Sequence, residues 1–290
     1  MLRIPSTFKT DVMSKDNKPA AYCKPGETVV FETLDCFDCA VSPDGTYDKE
    51  KGKYLANPAT GPLYIEGAEP GDALEVEILS IKTRGWGAMC TGFGEFAFKN
   101  YPGENKLHVF DFSDGFVKLG DRKIPVETMI GVIGVAPAED EIITTIAGSH
   151  GSNMDCSRIV EGARLFLPVH VPGALLAMGD MHALMGDGEV FSYGLETAGE
   201  AEVRVNVVKD ANLLQPTIYQ GGKVMTVASA STYDDAVRLA LESMYELLLS
   251  RGWKEDEAGL LMSMKCNLVL CQIVNPVITV RAELGEEFFK

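Results

Sequence analysis

Glu202-Val-Arg-Val-Asn-Val-Val208 decides the fold class, because apolar side chains occupy every second position and polar side chains stand between them. This period of two is typical of a β-strand with one buried face. Thr28-Val-Val-Phe-Glu-Thr33 and Leu74-Glu-Val-Glu-Ile-Leu79 are also strand-like, and the second of them alternates in the same way. Twenty-nine glycines and fourteen prolines supply turns between such stretches. The pattern predicts a mainly β chain, without the strand and helix alternation of a doubly wound fold.

A helical pattern follows near the carboxyl end. Apolar residues recur at helical spacing at Val237, Ala240, Leu241, Met244, Leu247 and Leu248. Ser231 or Thr232 can cap this helix at its start, and Gly252 is suited to its end. A second helix is predicted to begin near Lys254 before the chain returns to a strand pattern. We therefore expect an α+β protein with a helical pair over about residues 231–265.

The composition is that of an ordinary globular protein, with 290 residues, 46% hydrophobic and 23% charged. Acidic residues outnumber basic ones by 42 to 26, which gives a formal net charge of −16. This charge repels phosphate backbones and anionic lipids, so we expect neither nucleic acid nor membrane as a partner. The first residues lack the apolar core of a secretory signal, and we expect a cytoplasmic protein. No linker or compositional break is evident, so residues 1–290 are predicted to form one unit.

The seven cysteines are scattered and odd in number, which does not indicate a disulfide framework. Cys36 and Cys39 form a CxxC pair, but no second pair follows at the spacing of a zinc ribbon. We interpret both thiols as incidental to function. Cys156 is a candidate nucleophile, although only Arg158 lies near it in sequence to lower its pKa. Cysteine-dependent catalysis is therefore an alternative to a buried thiol without a chemical role.

Acids and glycines concentrate around two of the four histidines. In Gly179-Asp-Met-His-Ala-Leu-Met-Gly-Asp-Gly-Glu189, Asp180 and His182 are two positions apart, so both side chains share one face of an extended backbone. Glycines on both sides of Asp187 allow a turn that brings Glu189 onto the following segment. This set is a candidate metal or acid–base site, and a surface turn with solvated carboxylates is the alternative.

The second segment, Gly148-Ser-His-Gly-Ser-Asn-Met-Asp155, adds the imidazole of His150, the amide of Asn153 and the carboxyl group of Asp155. Asn153 is a candidate for orienting a small polar substrate. The alternative is a loop in which these polar groups satisfy backbone amides. The chain contains neither the dinucleotide fingerprint, nor a phosphate loop, nor the Gly-x-Ser-x-Gly elbow of serine hydrolases. We therefore expect no nucleotide cofactor.

Taken in order, these segments resemble the acetamidase/formamidase family of short-chain amide hydrolases. Further matching pieces are Asn57-Pro-Ala-Thr-Gly-Pro-Leu-Tyr-Ile-Glu-Gly-Ala-Glu-Pro-Gly-Asp72, Gly131-Val-Ile-Gly-Val-Ala-Pro137, Leu167-Pro-Val and Pro172-Gly-Ala-Leu-Leu176. The resemblance implies a mostly β fold of jelly-roll and barrel-like pieces and a homodimer or higher homo-oligomer. Phe288 and Phe289 also favour an oligomer, since their exposure to solvent would be unfavourable. The implied reaction hydrolyses a small-molecule amide, formamide or acetamide, to the acid and ammonia.

The resemblance also implies a cofactor and a set of site residues. The cofactor is a divalent metal ion, zinc first, with calcium or manganese as alternatives. The matching polar positions are Asp35, His150, Asn153, Asp155, Asp180, His182, Asp187 and Glu189. Asp35, His150, Asp155 and His182 are the expected metal ligands.

The remaining matched residues are expected to carry the chemistry. Glu189 takes a proton from water and returns it to the leaving nitrogen, and Asn153 binds the substrate. Asp180 and Asp187 orient the imidazoles or transfer protons. If His182 is not a ligand, Glu66 and Glu196 are the next carboxylates to consider. A noncatalytic β-rich protein that holds an ion or a polar ligand on the same residues is the alternative function.

Overall fold

The protein is seen here as a computed structural model, which describes residues 1–52, 57–91 and 103–290. The strands of the first half are β1 Leu2–Ile4, β2 Lys9–Thr10, β3 Val12–Met13, β4 Ala21–Cys23, β5 Thr28–Thr33, β6 Ala59–Ile65, β7 Ala73–Thr83, β8 Trp86–Thr91, β9 Lys106–Asp111, β10 Phe116–Leu119 and β11 Arg122–Pro125. The second half contains β12 Met129–Gly134, β13 Ile142–Ile143, β14 Gly151–Asn153, β15 Arg164–Pro168, β16 Leu176–His182, β17 Glu196–Thr197, β18 Gly199–Val208, β19 Thr217–Gln220 and β20 Lys223–Ala230. The helices α1 Tyr233–Ser250 and α2 Glu255–Lys265 follow, then β21 Asn267–Gln272, β22 Ile278–Gly285 and a short 3-10 helix, Glu286–Phe289.

Two large sheets organise most of these strands. The first has the order β1-β5-β18-β7-β15-β19-β20-β22-β21, and all its neighbours are antiparallel except β1 and β5. The second has the order β14-β12-β16-β17-β8-β9, and β6 joins it beside β16 while also pairing with β2 and β4. Phe31 and Ile78 of the first sheet share one buried hydrophobic core with Ile133 and Met178 of the second. The mainly β fold with a carboxyl-terminal helical pair is thus confirmed.

The helical pair packs on the first sheet. Thr232 caps α1, because its hydroxyl accepts a hydrogen bond from the backbone N–H of Asp235 at 3.2 Å. The apolar face of α1 packs on β20 and β22. Phe289 is buried in the same cluster, and the indole N–H of Trp253 donates to the carbonyl of Phe288 at 2.9 Å. Both phenylalanines therefore pack on their own chain and do not support the predicted oligomer. Neither α1 nor α2, the helices of the described ranges, has the length and apolar character needed to cross a bilayer.

Strand β16 lies in the middle of the second sheet, where it pairs with β12, β6 and β17. All seven of its residues are buried, including Asp180 and His182 at its end. Its register with β12 is the same throughout, but the pairing skips Gly131 and Asp180 between the pairs Ile130↔Met181 and Val132↔Gly179, and Asp180 has φ of 53°. The central strand of the sheet therefore ends in polar residues that are buried and locally distorted.

Candidate active site

Five ionisable residues meet at the end of β16. Asp180 and His182 lie on β16, and Glu196 stands opposite His182 on β17. Asp155 follows β14 by two residues, and Glu189 lies in the connection between β16 and β17. Each of the five is at most 5% exposed. A cavity of about 180 Å³ adjoins them, lined mainly by polar side chains that include Asn57, Asn153, Ser192, Tyr193 and Asn275.

The imidazole of His182 is the centre of this cluster. Its Nε2 atom lies 3.2 Å from Glu196 Oε1, 3.5 Å from Asp180 Oδ1 and 4.0 Å from Asp155 Oδ1. Burial opposes protonation of His182, but the charges of Glu196 and Asp180 outweigh it and raise the pKa of the imidazole well above its usual value. The cluster therefore attracts positive charge to this point.

The carboxyl groups repel one another, because they are crowded where little water reaches them. Burial, followed by the charge of Asp155, raises the pKa of Glu189 well above its usual value. Burial also raises the pKa of Glu196 well above its usual value, although His182 acts against it. Burial and the charge of Asp180 raise the pKa of Asp155 to about 6. The cluster therefore favours either bound protons or a bound cation.

Several buried atoms of the cluster have no hydrogen-bond partner. They are Asp155 Oδ1, Asp180 Oδ1, His182 Nδ1, Glu189 Oε2 and Glu196 Oε2. Buried polar atoms in proteins are usually paired, so this group needs an explanation. Among the described residues, two sets of donor atoms lie within 4.8 Å of one another, Asp155 with His182 and Glu189, and Cys36 with Asp180 and Glu196. Nitrogen, oxygen and sulfur donors at this spacing suit a divalent cation such as zinc.

Two asparagines fix the carboxylates that face His182. The side-chain amide of Asn57 donates to Asp180 Oδ2 at 2.9 Å, and that of Asn275 donates to Asp155 Oδ2 at 2.7 Å. Each aspartate thus has one oxygen held and its Oδ1 atom directed towards the imidazole. Because Asn275 lies between β21 and β22, the first sheet helps to build a site whose other parts belong to the second.

The backbone of the site is strained. Asn57, Asp155, Asp180, Glu189 and Ser192 have φ values of 53°, 43°, 53°, 46° and 68°. Residues with side chains seldom adopt this left-handed region, which costs about 1–3 kcal/mol each. Strain of this kind collects at functional sites, where the surrounding structure holds it in place.

Glycines provide the space that the cluster needs. A Cβ atom at Gly131 would lie 2.6 Å from Asp155 Oδ1 and 2.8 Å from the backbone oxygen of Asp180. A Cβ atom at Gly194 would lie 2.5 Å from the ring of His182. Both positions exclude a larger residue without displacement of a cluster member.

Three of the residues expected in the site do not line the polar cavity and belong to neither donor set. Asp35 accepts a hydrogen bond from Arg84 at 2.6 Å and from the backbone N–H groups of Phe37 and Cys39, so its carboxylate is occupied and belongs to neither donor set. His150 also belongs to neither set, and burial, followed by the charge of His170, lowers its pKa to about 4.

Asp187 is the third. Its oxygens accept hydrogen bonds from Arg281 at 2.8 and 2.7 Å and from Ser157 at 2.6 Å. Although burial opposes ionisation, these bonds lower the pKa of Asp187. Asp187 therefore forms an ion pair with Arg281, and neither donor set includes it.

The sequence interpretation also missed members of the site. Cys36 of the CxxC pair lines the cavity, and burial, followed by the charges of Glu196 and Asp180, raises the pKa of its thiol well above its usual value. Glu196 was foreseen only as a reserve, together with Glu66, which is exposed. Asn57 opens one of the quoted segments, whereas Asn275 carried no sequence signal.

The geometry does not favour cysteine-dependent catalysis. Cys156 is fully buried and does not line the polar cavity. A hydrogen bond with the thiol of Cys271 lowers its pKa in spite of its burial, and Arg281 lies nearby. The basic neighbour of Cys156 is thus Arg281, which is distant in sequence.

The chain matches the model of the Acetamidase/Formamidase family over residues 13–145 and 138–290. It is 39% identical to an acetamidase from Bacillus halodurans of known crystal structure, with a TM-score of 0.92 over 99% of this chain and 98% of that one. A crystal structure of a predicted acetamidase/formamidase from Thermoanaerobacter tengcongensis is 38% identical, with a TM-score of 0.92 over 99% of this chain and 96% of that one. The formamidase of Methylophilus methylotrophus is 26% identical over 254 residues, which cover 66% of this chain and 61% of that formamidase.

Proposed function

Since this chain belongs to the acetamidase/formamidase family, we propose that it hydrolyses short-chain aliphatic amides, formamide or acetamide, to the carboxylic acid and ammonia. The observation that carries this proposal is the buried cluster of four carboxyl groups around His182, with unpartnered oxygens beside a small polar cavity. An amide resists water because its carbonyl is a weak electrophile and its nitrogen a poor leaving group. The site must therefore supply a base for the water and an acid for the nitrogen.

Glu189 is the proposed proton carrier. Its raised pKa brings its basicity closer to neutral pH, where an acid–base catalyst works best. Glu189 takes a proton from the attacking water as the new C–O bond forms. It returns that proton to the nitrogen as the C–N bond breaks, so that acid and ammonia leave with no net change in the protein.

A divalent metal ion, zinc as first choice, is the proposed cofactor. The unpartnered oxygens and the imidazole fit such an ion. Asp155 and His182 are its proposed ligands, and Asp180 and Glu196, whose oxygens face the same Nε2 atom, replace the expected Asp35 and His150. When bound, the ion supplies a Lewis acid that makes the carbonyl carbon more electrophilic and the water more acidic.

Asn153 is the proposed substrate-binding residue. It is 1% exposed, lines the polar cavity, and its Oδ1 atom has no hydrogen-bond partner. This oxygen can accept a hydrogen bond from the NH₂ group of a primary amide and thereby orient the carbonyl towards Glu189.

Ammonia release from formamide, acetamide, propionamide and urea tests the proposal, with protein as isolated and after addition of zinc, manganese or calcium. Removal of a general acid–base group usually costs a factor of about 10² to 10⁴, so Glu189→Gln should lower kcat by at least about 10². Glu66→Gln, which changes an exposed carboxylate outside the cluster, is the matched control and should keep full activity. No ammonia from any of these compounds with any of the metals would refute the amidase assignment and favour a binding protein.

The oligomeric state is a separate proposal, a homodimer or larger assembly. Light scattering on purified protein at micromolar concentration tests it. A mass near the 31.4 kDa of one chain would contradict it.

A further inference from the structure

An apolar cavity of about 540 Å³ lies next to the polar site. Strands β8 and β9, the hairpin β10–β11 and the segment after β16 form its walls, with side chains that include Met89, Phe110, Val117, Ile124, Leu184 and Leu195. Its size falls in the range of about 300–1,000 Å³ that is common for small-molecule pockets. We call it the apolar groove.

The apolar groove and the polar cavity share two lining residues. Glu189 and Tyr193 line both the groove and the polar cavity. The proposed proton carrier therefore belongs to the walls of both spaces. The other acidic residues of the groove are Glu127, which is exposed, and Asp187, whose carboxylate is paired with Arg281. Among the residues that the structure describes, the groove therefore has no feature that favours a charged ligand over an apolar one.

The reaction decides which part of a substrate could enter the groove. A primary amide has a fixed CONH₂ group, which must reach Glu189 and Asn153 in the polar cavity. Only the acyl chain varies from one primary amide to another. A chain attached to a carbonyl beside Glu189 has the groove as its apolar neighbour, whereas formamide and acetamide leave the groove unused.

We propose that the groove binds the acyl chain of the substrate and that the enzyme prefers primary amides with longer apolar chains, such as hexanamide, over acetamide. This inference rests on the proposed function, because it assumes amide hydrolysis at Glu189. Each methylene group that leaves water for an apolar wall favours binding about fourfold. Hexanamide has four more methylene groups than acetamide. Its kcat/KM should therefore exceed that of acetamide by more than fourfold, the factor expected for a single methylene group.

The test compares kcat/KM for acetamide and hexanamide, by ammonia release from the metal-loaded enzyme. The wild type should prefer hexanamide by more than fourfold. Leu184→Trp, which fills the groove, should lower kcat/KM for hexanamide at least fourfold while that for acetamide changes less than twofold. Ile124→Asp, on the exposed hairpin, makes the wall polar without adding bulk and should act in the same direction if Leu184→Trp fails to fold. Leu260→Trp, on the exposed face of α2, is the matched control and should change neither value.

The outcomes separate this inference from the function on which it rests. Turnover of acetamide with a hexanamide preference below fourfold would overturn the inference and leave the amidase assignment intact. A hexanamide preference that is unchanged in Leu184→Trp and Ile124→Asp would overturn the inference in the same way. This includes the outcome in which the two variants change only the mass of the assembly measured by light scattering. The groove would then be a contact between copies of the chain. Turnover of formamide with no ammonia from acetamide or hexanamide would overturn the inference alone, whereas no ammonia from any of the three amides would refute the proposed function and the inference together.

Discussion

Replacing Gly131 by alanine adds one methyl group where the carboxylates are most crowded. The new Cβ atom would lie 2.6 Å from Asp155 Oδ1, 2.8 Å from the backbone oxygen of Asp180 and 3.1 Å from Asp180 Oδ2. Carbon and oxygen atoms that are not bonded need roughly 3.3–3.6 Å even in close C–H···O contacts, so Asp155 must retreat by about 0.7 Å or more. The backbone oxygen lies on the neighbouring strand β16 and is less free to move than a side chain.

The magnitude follows from these displacements. Overpacking of a buried position costs about 1–3 kcal/mol in the free energy of unfolding. A shift of about 1 Å in a catalytic group lowers activity by about 10²-fold. We therefore expect Gly131→Ala to fold with a lower Tm, to lose kcat/KM by roughly 10²-fold and to retain less metal.

Three measurements on the same preparations check this expectation: ammonia release, elemental analysis and thermal unfolding. Gly259→Ala is the matched control, because Gly259 lies on α2 with no atom near its added Cβ. In a helix this change should stabilise the protein by about 1 kcal/mol and leave activity unchanged. A Gly131→Ala protein with activity within twofold of wild type and full metal content would show that the position of Asp155 is not critical.

Three further predictions concern other parts of the chain. His182→Ala should remove activity and most of the bound metal without unfolding the protein, as followed by elemental analysis and circular dichroism; a variant that keeps both metal and turnover would exclude His182 as a ligand. Asp187→Ala should destabilise the protein by about 1–3 kcal/mol in urea unfolding, because the buried Arg281 would lose one of its partners. The kcat of this variant should change less than threefold. A loss of kcat above about 10²-fold in folded protein would instead support the catalytic role first expected of Asp187. Burial of Asp72 opposes its ionisation, but hydrogen bonds from Lys209 and two backbone N–H groups outweigh it and lower its pKa below the usual 3.8. The stabilisation of the fold by ionised Asp72 is therefore present above pH 3.8 and lost as the pH falls through the lowered pKa. Asp72→Asn should thus reduce the free energy of unfolding in urea more at pH 6 than at pH 2. An equal loss at both pH values would contradict this expectation.

The fold was predictable where the signal was local. The alternation in Glu202–Val208 lies within β18, and the stretch Thr28–Thr33 coincides with β5. The cap at Thr232 and the apolar spacing after it predict the first and last residues of α1 to within two residues. Sheet order was not predictable, because β1, β5, β18 and β7 are neighbours in space but distant in sequence.

The site was predictable only in part. Asp155, Asp180, His182 and Glu189 come together as expected, and their roles remain predictions. The reasoning for Asp180 and His182 was wrong in one respect, since it assumed extended backbone, whereas Asp180 has φ of 53°.

The partners that occupy a side chain could not be read from the sequence. Arg84 is 49 residues from Asp35, and Arg281 is 94 residues from Asp187. The two asparagines could not be predicted for the same reason, since Asn57 is 123 residues from Asp180 and Asn275 is 120 residues from Asp155. An acidic residue in a glycine-rich segment is equally compatible with a free carboxylate and with a carboxylate bound to an arginine. Only the tertiary contact distinguishes the two.

The cluster destabilises the chain that contains it, and this favours a functional reading. Crowded carboxyl groups, unpartnered buried atoms and left-handed backbone each oppose folding, and all three coincide around His182. The core shared by the two sheets supplies the stability that permits this, while Asn57 and Asn275 each hold one of the aspartates. A cluster of carboxyl groups that served only the fold would be paired with arginines, as Asp35 and Asp187 are. Asp155 and Asp180 instead direct oxygens without a hydrogen-bond partner at one imidazole, an arrangement that the proposed cation and substrate would complete.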